Sequence, residues 1–250
     1  MSERPTKYDL SGQVALITGA TGGLGPAVAR AFFEAAATVV GVSSHVSEQR
    51  EQEFHAQVAS GASDTTGRLA LVAADAQEEA SVAQVVSDVV ARHGRLDILV
   101  NAIGGYYAGD PVAETPLDAW QRMFDLNLRP TFLFSKYAAR TMAAQQRGRI
   151  INVSSRAAYS GRKNAAAYAT AKSGVITLTE AQADEVRGAG VTVNVIIPSI
   201  IDTLANRAAM PNADTSRWPT AEQVARVILF LASDDAELIS GAAIPVYGRA

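Results

Sequence analysis

Tyr168 and Lys172 stand four apart in the alanine-rich stretch Asn164-Ala-Ala-Ala-Tyr-Ala-Thr-Ala-Lys172. If that stretch is helical, the two side chains share a face, with Cβ atoms about 5–6 Å apart. A cation at that distance favours phenolate over phenol, so Lys172 is expected to lower the Tyr168 pKa from its reference value of about 10. A tyrosine tuned in this way can pass a proton near neutral pH. Ser155 follows the apolar run Ile150-Ile-Asn-Val153, which reads as a buried strand. A serine leaving that strand can meet a tyrosine on the next helix. Taken alone, a Tyr–Lys pair at this spacing is also what an ordinary helix surface carries.

A second chemical signal lies near the start of the chain, in Thr18-Gly-Ala-Thr-Gly-Gly-Leu-Gly25. The cluster follows the apolar run Val14–Thr18 and opens a segment of helical composition, Leu24–Ala35. In that setting glycines let the backbone approach a pyrophosphate, and the helix N-terminus supplies N–H groups and a positive dipole end. An NAD site on such a fold carries an acidic residue about 20 positions further on. Here that place holds Ser43-Ser44-His45, and the first carboxylate is Glu48. No carboxylate would repel a 2′-phosphate, and serine hydroxyls can donate to one. The arginine typical of NADP sites is missing, both here and within the glycine loop. The expectation is NADP(H) over NAD(H).

The elements that must position these groups alternate. Strand candidates are Val14–Thr18, Val39–Val42, Leu69–Ala73, Ile98–Val100, Ile150–Val153, Val191–Ile197 and Ala243–Val246. Between them lie helical segments: Ser47–Ser60 with Ser47 as cap, then the repeat Val82, Val85, Val86, Val89, Val90 stopped by Gly94. Short apolar strands alternating with helices predict an α/β fold: a doubly wound, Rossmann-like parallel sheet of about seven strands covered on both faces. A further helix is predicted from Thr115 as cap and Pro116 in the first turn, running to Gly148 and bending at Pro130, with Asn127 at the bend. Ser199–Pro219 has little periodicity and reads as a long binding loop. Thr220-Ala-Glu-Gln223 has the capping-box pattern. No linker or repeat divides the chain, so residues 1–250 are read as a single domain with a core over about 10–248.

Composition removes several classes of function. The 250 residues are nearly half apolar, with a net charge of −3 and no basic block, which argues against nucleic acid as the main partner. There is no cysteine, so disulfides, thiolate metal sites and cysteine nucleophiles are excluded. His45, His55 and His93 are scattered, and no metal site is expected. The N-terminus lacks the apolar core of a signal peptide, and no apolar run is long enough to span a membrane. The expected location is the cytoplasm.

With these residues in order, the sequence resembles the short-chain dehydrogenase/reductase family of the single-domain type. The family pattern Thr-Gly-x-x-x-Gly-x-Gly matches Thr18, Gly19, Gly23 and Gly25. Its Tyr-x-x-x-Lys pair falls on Tyr168 and Lys172, its serine on Ser155 and its helix asparagine on Asn127. The resemblance implies hydride transfer between NAD(P)(H) and a small carbonyl or alcohol substrate. Ser155 would hold the substrate oxygen and Tyr168 would give or take the proton. Lys172 would bond the nicotinamide ribose, and Asn127 would hold a water linking Lys172 to solvent. Cofactor contacts are implied at Thr18, Gly19, Thr21, Gly23, Leu24, Gly25, Ser43, Ser44, Asp75, Ala76, Asn101, Ala102, Tyr168, Lys172, Pro198, Ile201 and Thr203. Asp75 would meet the adenine end.

The sequence departs from the family in three loops. Asn-Asn-Ala-Gly is Asn101-Ala102-Ile103-Gly104, Pro-Gly is Pro198-Ser199, and Val-Asp-Gly-Gly is Val246-Tyr247-Gly248-Arg249. The resemblance also implies a homotetramer whose main contacts are the Asn127–Gln146 and Ala165–Val186 helices. Tyr106, Tyr107, Tyr159, Met210 and Trp218 are candidates for the substrate wall. Two alternatives stay open: a dihydropteridine-reductase-like pterin reductase, suggested by Ile201–Arg207 and the C-terminal Pro-Val-Tyr-Gly-Arg, and a dinucleotide-binding redox sensor without catalysis.

Overall fold

The structure is a computed structural model that describes residues 8–59 and 67–249. The N-terminal residues 1–7, read above for a leader, and Ser60, at the end of an expected helix, lie outside the described residues. Strands β1 (Val14–Thr18), β2 (Thr38–Ser43), β3 (Leu69–Ala73), β4 (Ile98–Asn101), β5 (Gly148–Val153), β6 (Val191–Pro198) and β7 (Ala243–Val246) form one parallel sheet in the order β3-β2-β1-β4-β5-β6-β7. Helices α1 (Gly25–Glu34), α2 (Glu48–Val58), α3 (Glu79–His93), α4 (Leu117–Asn127), α5 (Arg129–Gln145), α6 (Ala157–Ser160), α7 (Ala166–Val186), α8 (Leu204–Ala209) and α9 (Ala221–Ala232) connect the strands or cover them.

The strands are apolar without interruption because both faces of the sheet are covered. Ala15 and Ile17 of β1 pack on one side with Val28 and Phe32 of α1 and Val224 and Ile228 of α9. Val14 and Leu16 pack on the other with Val82 and Val86 of α3 and Phe134 and Met142 of α5. One residue of slip would exchange these two sets, so the register Leu16↔Val40 and Leu16↔Leu99 is held by packing on both faces. The chain winds outward from β1 toward β3 and, in the opposite direction, from β4 toward β7. Its reversal between β1 and β4 opens a crevice at the carboxyl ends of the strands, where ligands bind in such sheets.

Most expected elements are found. Ser47 caps α2 by accepting from the Arg50 amide, Gly94 ends α3 in the left-handed conformation, and Thr220 and Gln223 close a capping box on α9. Two expectations are corrected. The segment after Thr115 is two helices, α4 and α5, which meet at Leu128 and end at Gln145, short of Gly148. Pro130 lacks an N–H and crowds the carbonyl of Leu126, so the helix breaks at Leu128 and restarts with the proline in its first turn. Nor is Thr115 the cap. A 3₁₀ turn at Val112–Glu114 precedes it, and its hydroxyl donates to the Pro111 carbonyl at 2.9 Å, leaving Pro116 at the cap position. Within Ser199–Pro219 the chain also forms α8, capped by Thr203, which the weak periodicity of those six residues did not announce.

Candidate active site

The cleft begins at the end of β1. Gly19 adopts φ +66, and a Cβ there would lie 3.0 Å from the backbone of Ala102 and Ile103. A side chain would be both strained and obstructed. Thr18 Oγ1 accepts from the amides of Ala102 and Ile103, at 3.1 and 3.4 Å, and so ties this turn to the end of β4. A Cβ on Gly25 would overlap the Gly19 carbonyl, so the glycine lets α1 start flush against the strand end. No side chain caps that start: Leu24 is the cap residue and makes no side-chain cap bond. A bare backbone turn leading into an uncapped helix N-terminus fits a pyrophosphate. Thr203 crosses the turn, its methyl 2.9 Å from where a Gly23 Cβ would be.

At the end of β2 the hydroxyls of Thr21 and Ser43 are 3.1 Å apart. Arg50, from the first turn of α2, extends Nη1 to 3.5 Å from Ser43 Oγ and 3.4 Å from the His45 carbonyl. An arginine thus does reach the end of β2, although the residues at that place in the sequence include none. Ser47 capping α2 was the available signal, because a helix beginning there carries its first turn back past the end of β2. Ser44 is exposed beside this group, as is Asp75 beyond β3, where Asp75 Oδ1 accepts from the Gln77 amide at 2.9 Å. Ala76 and Ala102 are half-buried. Pro198 ends β6, its carbonyl accepting from Arg156, and Ile201 follows, its carbonyl accepting from Asn206 Nδ2. The Asn101 side chain points into the protein. It is 2% exposed, and its Nδ2 donates inward to Ser135 Oγ and Asn152 Oδ1, at 2.9 and 2.8 Å.

The proton-transfer side is built on β5 and α7. Ser154 Oγ donates to the Lys172 carbonyl at 2.8 Å, and Ser173 Oγ donates to the Ala158 carbonyl at 2.7 Å. These bonds strap the turn after β5 to α7 and bring Ser155 to Tyr168. A hydrogen bond from Ser155 lowers the Tyr168 pKa, but burial outweighs it, and the neighbouring Tyr106 adds to the upward shift. The named causes of that shift are burial, Ser155 and Tyr106, and the Lys172 amine is turned toward another partner. The lysine is buried, and Nζ donates to the Val153 carbonyl at 2.9 Å. Burial alone pushes the Lys172 pKa down to about 8.

Asn127 is fully buried. Its Oδ1 accepts from the Gly105 amide at 3.2 Å, and its Nδ2 donates to the carbonyls of Gly105 and Met123, both at 3.0 Å. A Cβ on Gly104 would lie 2.9 Å from Asn127 Oδ1 and 3.1 Å from Lys172 Nζ, so the missing side chain leaves room for both polar groups. Gly105 leads directly to Tyr106, whose ring stands over that of Tyr168, with centroids 4.9 Å apart and planes at 82°. Tyr107 donates to Asp110 at 3.3 Å, and the Gly109 amide donates to the Asn164 carbonyl at 3.0 Å, joining this loop to the one before α7. Of the remaining wall candidates, Tyr159 is exposed, Met210 is half-buried and Trp218 is buried.

Residues 13–214 match the short chain dehydrogenase family. The chain is 35% identical over 244 residues to a cis-4-hydroxycyclohexanecarboxylate dehydrogenase of Sinomonas cyclohexanicum, covering 94% of this chain and 95% of that protein. Its fold is similar to that of ElxO with NADP bound, with a TM-score of 0.86 at 27% identity, covering 94% and 97% of the two chains. It is also similar to that of an NAD⁺-bound xylitol dehydrogenase, with a TM-score of 0.84 at 26% identity, covering 95% and 98%. The chain belongs to the short-chain dehydrogenase/reductase family. It is an NAD(P)-dependent oxidoreductase of small carbonyl or alcohol substrates, and this reading prevails over the pterin reductase and the non-catalytic sensor. Among the described residues, no helix is long and apolar enough to cross a membrane.

Proposed function

We propose that Tyr168 is the general acid and base of this oxidoreductase, that Ser155 orients the substrate oxygen, and that Lys172 replenishes the proton. The observation that carries this is the hydrogen bond joining Ser155 to Tyr168 beside a fully buried lysine. A bound nicotinamide dinucleotide supplies or accepts the hydride. On reduction the Tyr168 hydroxyl donates its proton to the substrate oxygen while Ser155 holds that oxygen in line; on oxidation the tyrosine takes the proton back. Burial favours the neutral phenol until substrate arrives, which suits an acid. Lys172, at about 8, can release a proton close to neutral pH, as a solvated lysine near 10.4 cannot. Asn127 serves this site by holding Gly105.

The test is Tyr168→Phe, assayed on a panel of ketones and their alcohols with both cofactors. General acid–base catalysis contributes typically 10²–10⁴-fold, so kcat should fall by about that much with cofactor affinity retained. Near-wild-type turnover would end this assignment.

The preferred cofactor is NADP(H). Thr21, Ser43 and Arg50 together offer two hydroxyls and a guanidinium beside the end of β2, which suits a 2′-phosphate. The glycine turn, with Leu24 and Thr203, would hold the pyrophosphate, and Asp75 and Ala76 the adenine end. For assembly we favour a homotetramer through α5 and α7, supported by Phe132, a large apolar side chain left 46% exposed on α5. A monomer mass by light scattering at micromolar concentration would contradict it.

A further inference from the structure

Tyr106 is a large aromatic side chain that the fold leaves 64% exposed at the mouth of the site. It is nevertheless not loose. Gly105, the residue before it, is clasped by Asn127 through two hydrogen bonds, and Asn127 is anchored on Met123 of α4. The ring then meets Tyr168 at 4.9 Å with its plane turned 82°, an edge-to-face geometry that is favourable in itself. The chain therefore spends a buried asparagine on presenting an exposed aromatic ring to the tyrosine that handles the proton. Around them Tyr107, Trp120 and Met123 form an apolar cluster with Tyr168.

We propose that Tyr106 is the specificity-determining residue of this site, a fixed flat wall beside Tyr168 that selects carbonyls and alcohols carried on a ring over open-chain ones. The proposal rests on the carbonyl/alcohol reading above and names its substrate class. A ring skeleton presents several carbon atoms to an aromatic wall at once and has almost no internal rotation to lose. An open chain must freeze its rotors to make the same contact, and that lost freedom weakens binding. With the carbonyl oxygen held by Ser155 and Tyr168, only skeletons that lie flat against Tyr106 keep that oxygen in line. The hydroxyl of Tyr106 plays no part in this selection; the ring does.

The test compares kcat/KM for two pairs matched in carbon number, cyclohexanone with 2-hexanone and cycloheptanone with 2-heptanone, in the wild type, Tyr106→Phe and Tyr106→Ala. The wild type should favour the cyclic member of each pair by about tenfold or more. Tyr106→Phe should keep that ratio within about twofold. Tyr106→Ala should bring it near unity while still reducing both ketones, and a cooperative unfolding transition shows that the variant is folded despite losing the contact with Tyr168. A wild type without cyclic preference, a Tyr106→Ala enzyme that keeps the preference, or an enzyme that reduces other carbonyls but neither cyclic ketone overturns the proposal and leaves the oxidoreductase reading standing. Loss of all carbonyl and alcohol turnover, in the wild type itself, would overturn both.

Discussion

Lys172 Nζ donates to the carbonyl of Val153, 2.9 Å away, from a buried position. The Asn127 amide and that ammonium both border the space that a side chain on Gly104 would fill. One backbone carbonyl is a poor substitute for hydration. The lysine is thus held at a cost in stability, as groups at working sites often are.

That cost has a pH signature. Burial lowers the folded-state pKa of Lys172 to about 8, whereas the unfolded chain keeps the ordinary lysine value. Below pH 8 the amine is charged in both states and the penalty is fully present. Between pH 8 and the unfolded value near 10.4 the folded protein releases a proton that the unfolded chain retains, so stability rises with pH across that window. Lys172→Met should therefore be more stable than the cofactor-free wild type at pH 7. The gain is on the order of 3 kcal/mol from the charge, less about 1 kcal/mol for the lost bond to Val153. Urea midpoints at pH 7 and pH 10.5 check it: the advantage should shrink at the higher pH, and an advantage independent of pH would contradict the buried charge as its cause.

Asn127 should matter through the loop it holds. Asn127→Leu removes both bonds to Gly105 and the one to Met123. Stability should drop by about 1–3 kcal/mol, and kcat/KM should fall at least tenfold as Tyr106 loses its fixed place over Tyr168. Asn127→Asp, which keeps an acceptor for the Gly105 amide, should lie between the wild type and Asn127→Leu. If Asn127→Leu leaves both the urea midpoint and kcat/KM unchanged, the clasp is not what positions the loop.

The proposed preference for NADP(H) can be tested at Arg50, which reaches Ser43 at the end of β2. A charge-assisted hydrogen bond contributes about 1.5–3 kcal/mol. Arg50→Ala should therefore weaken NADPH binding by roughly ten- to a hundredfold, with NADH binding almost unaltered. Fluorescence titration with each reduced cofactor measures this. Equal losses for the two cofactors would mean that Arg50 supports the end of β2 and does not read the phosphate.

Gly19→Ala tests the pyrophosphate turn. The left-handed backbone conformation alone costs a residue with a side chain about 1–2 kcal/mol, and the new Cβ would press on the Ala102 and Ile103 backbone. The turn can relieve this only by moving away from β4. Binding of either cofactor should weaken at least tenfold, and the unfolding midpoint should fall. Unchanged affinity in a destabilised protein would separate the turn from cofactor binding.

Much of this protein is legible in its sequence because the relevant physics is local. Leu69–Ala73 and Ala243–Val246 are short apolar runs, and they are strands over those residues. Ser47, Gly94, Thr220 and Gln223 act within one helical turn, so their caps follow from spacing. Likewise, a glycine cluster between a strand and a helix has few other uses. The tertiary structure decided what depends on distant residues. Asn127 grips Gly105, 22 positions away, and Asn101 turns inward to Asn152, 51 positions away. Arg50 reaches Ser43 only because α2 doubles back over the end of β2. Spacing alone puts Lys172 on the face of Tyr168, but the neighbouring strand supplies a buried carbonyl at Val153 that turns the amine toward itself. Side-chain direction in a packed interior is set by whichever partner satisfies the polar group, and those partners arrive only when the sheet assembles.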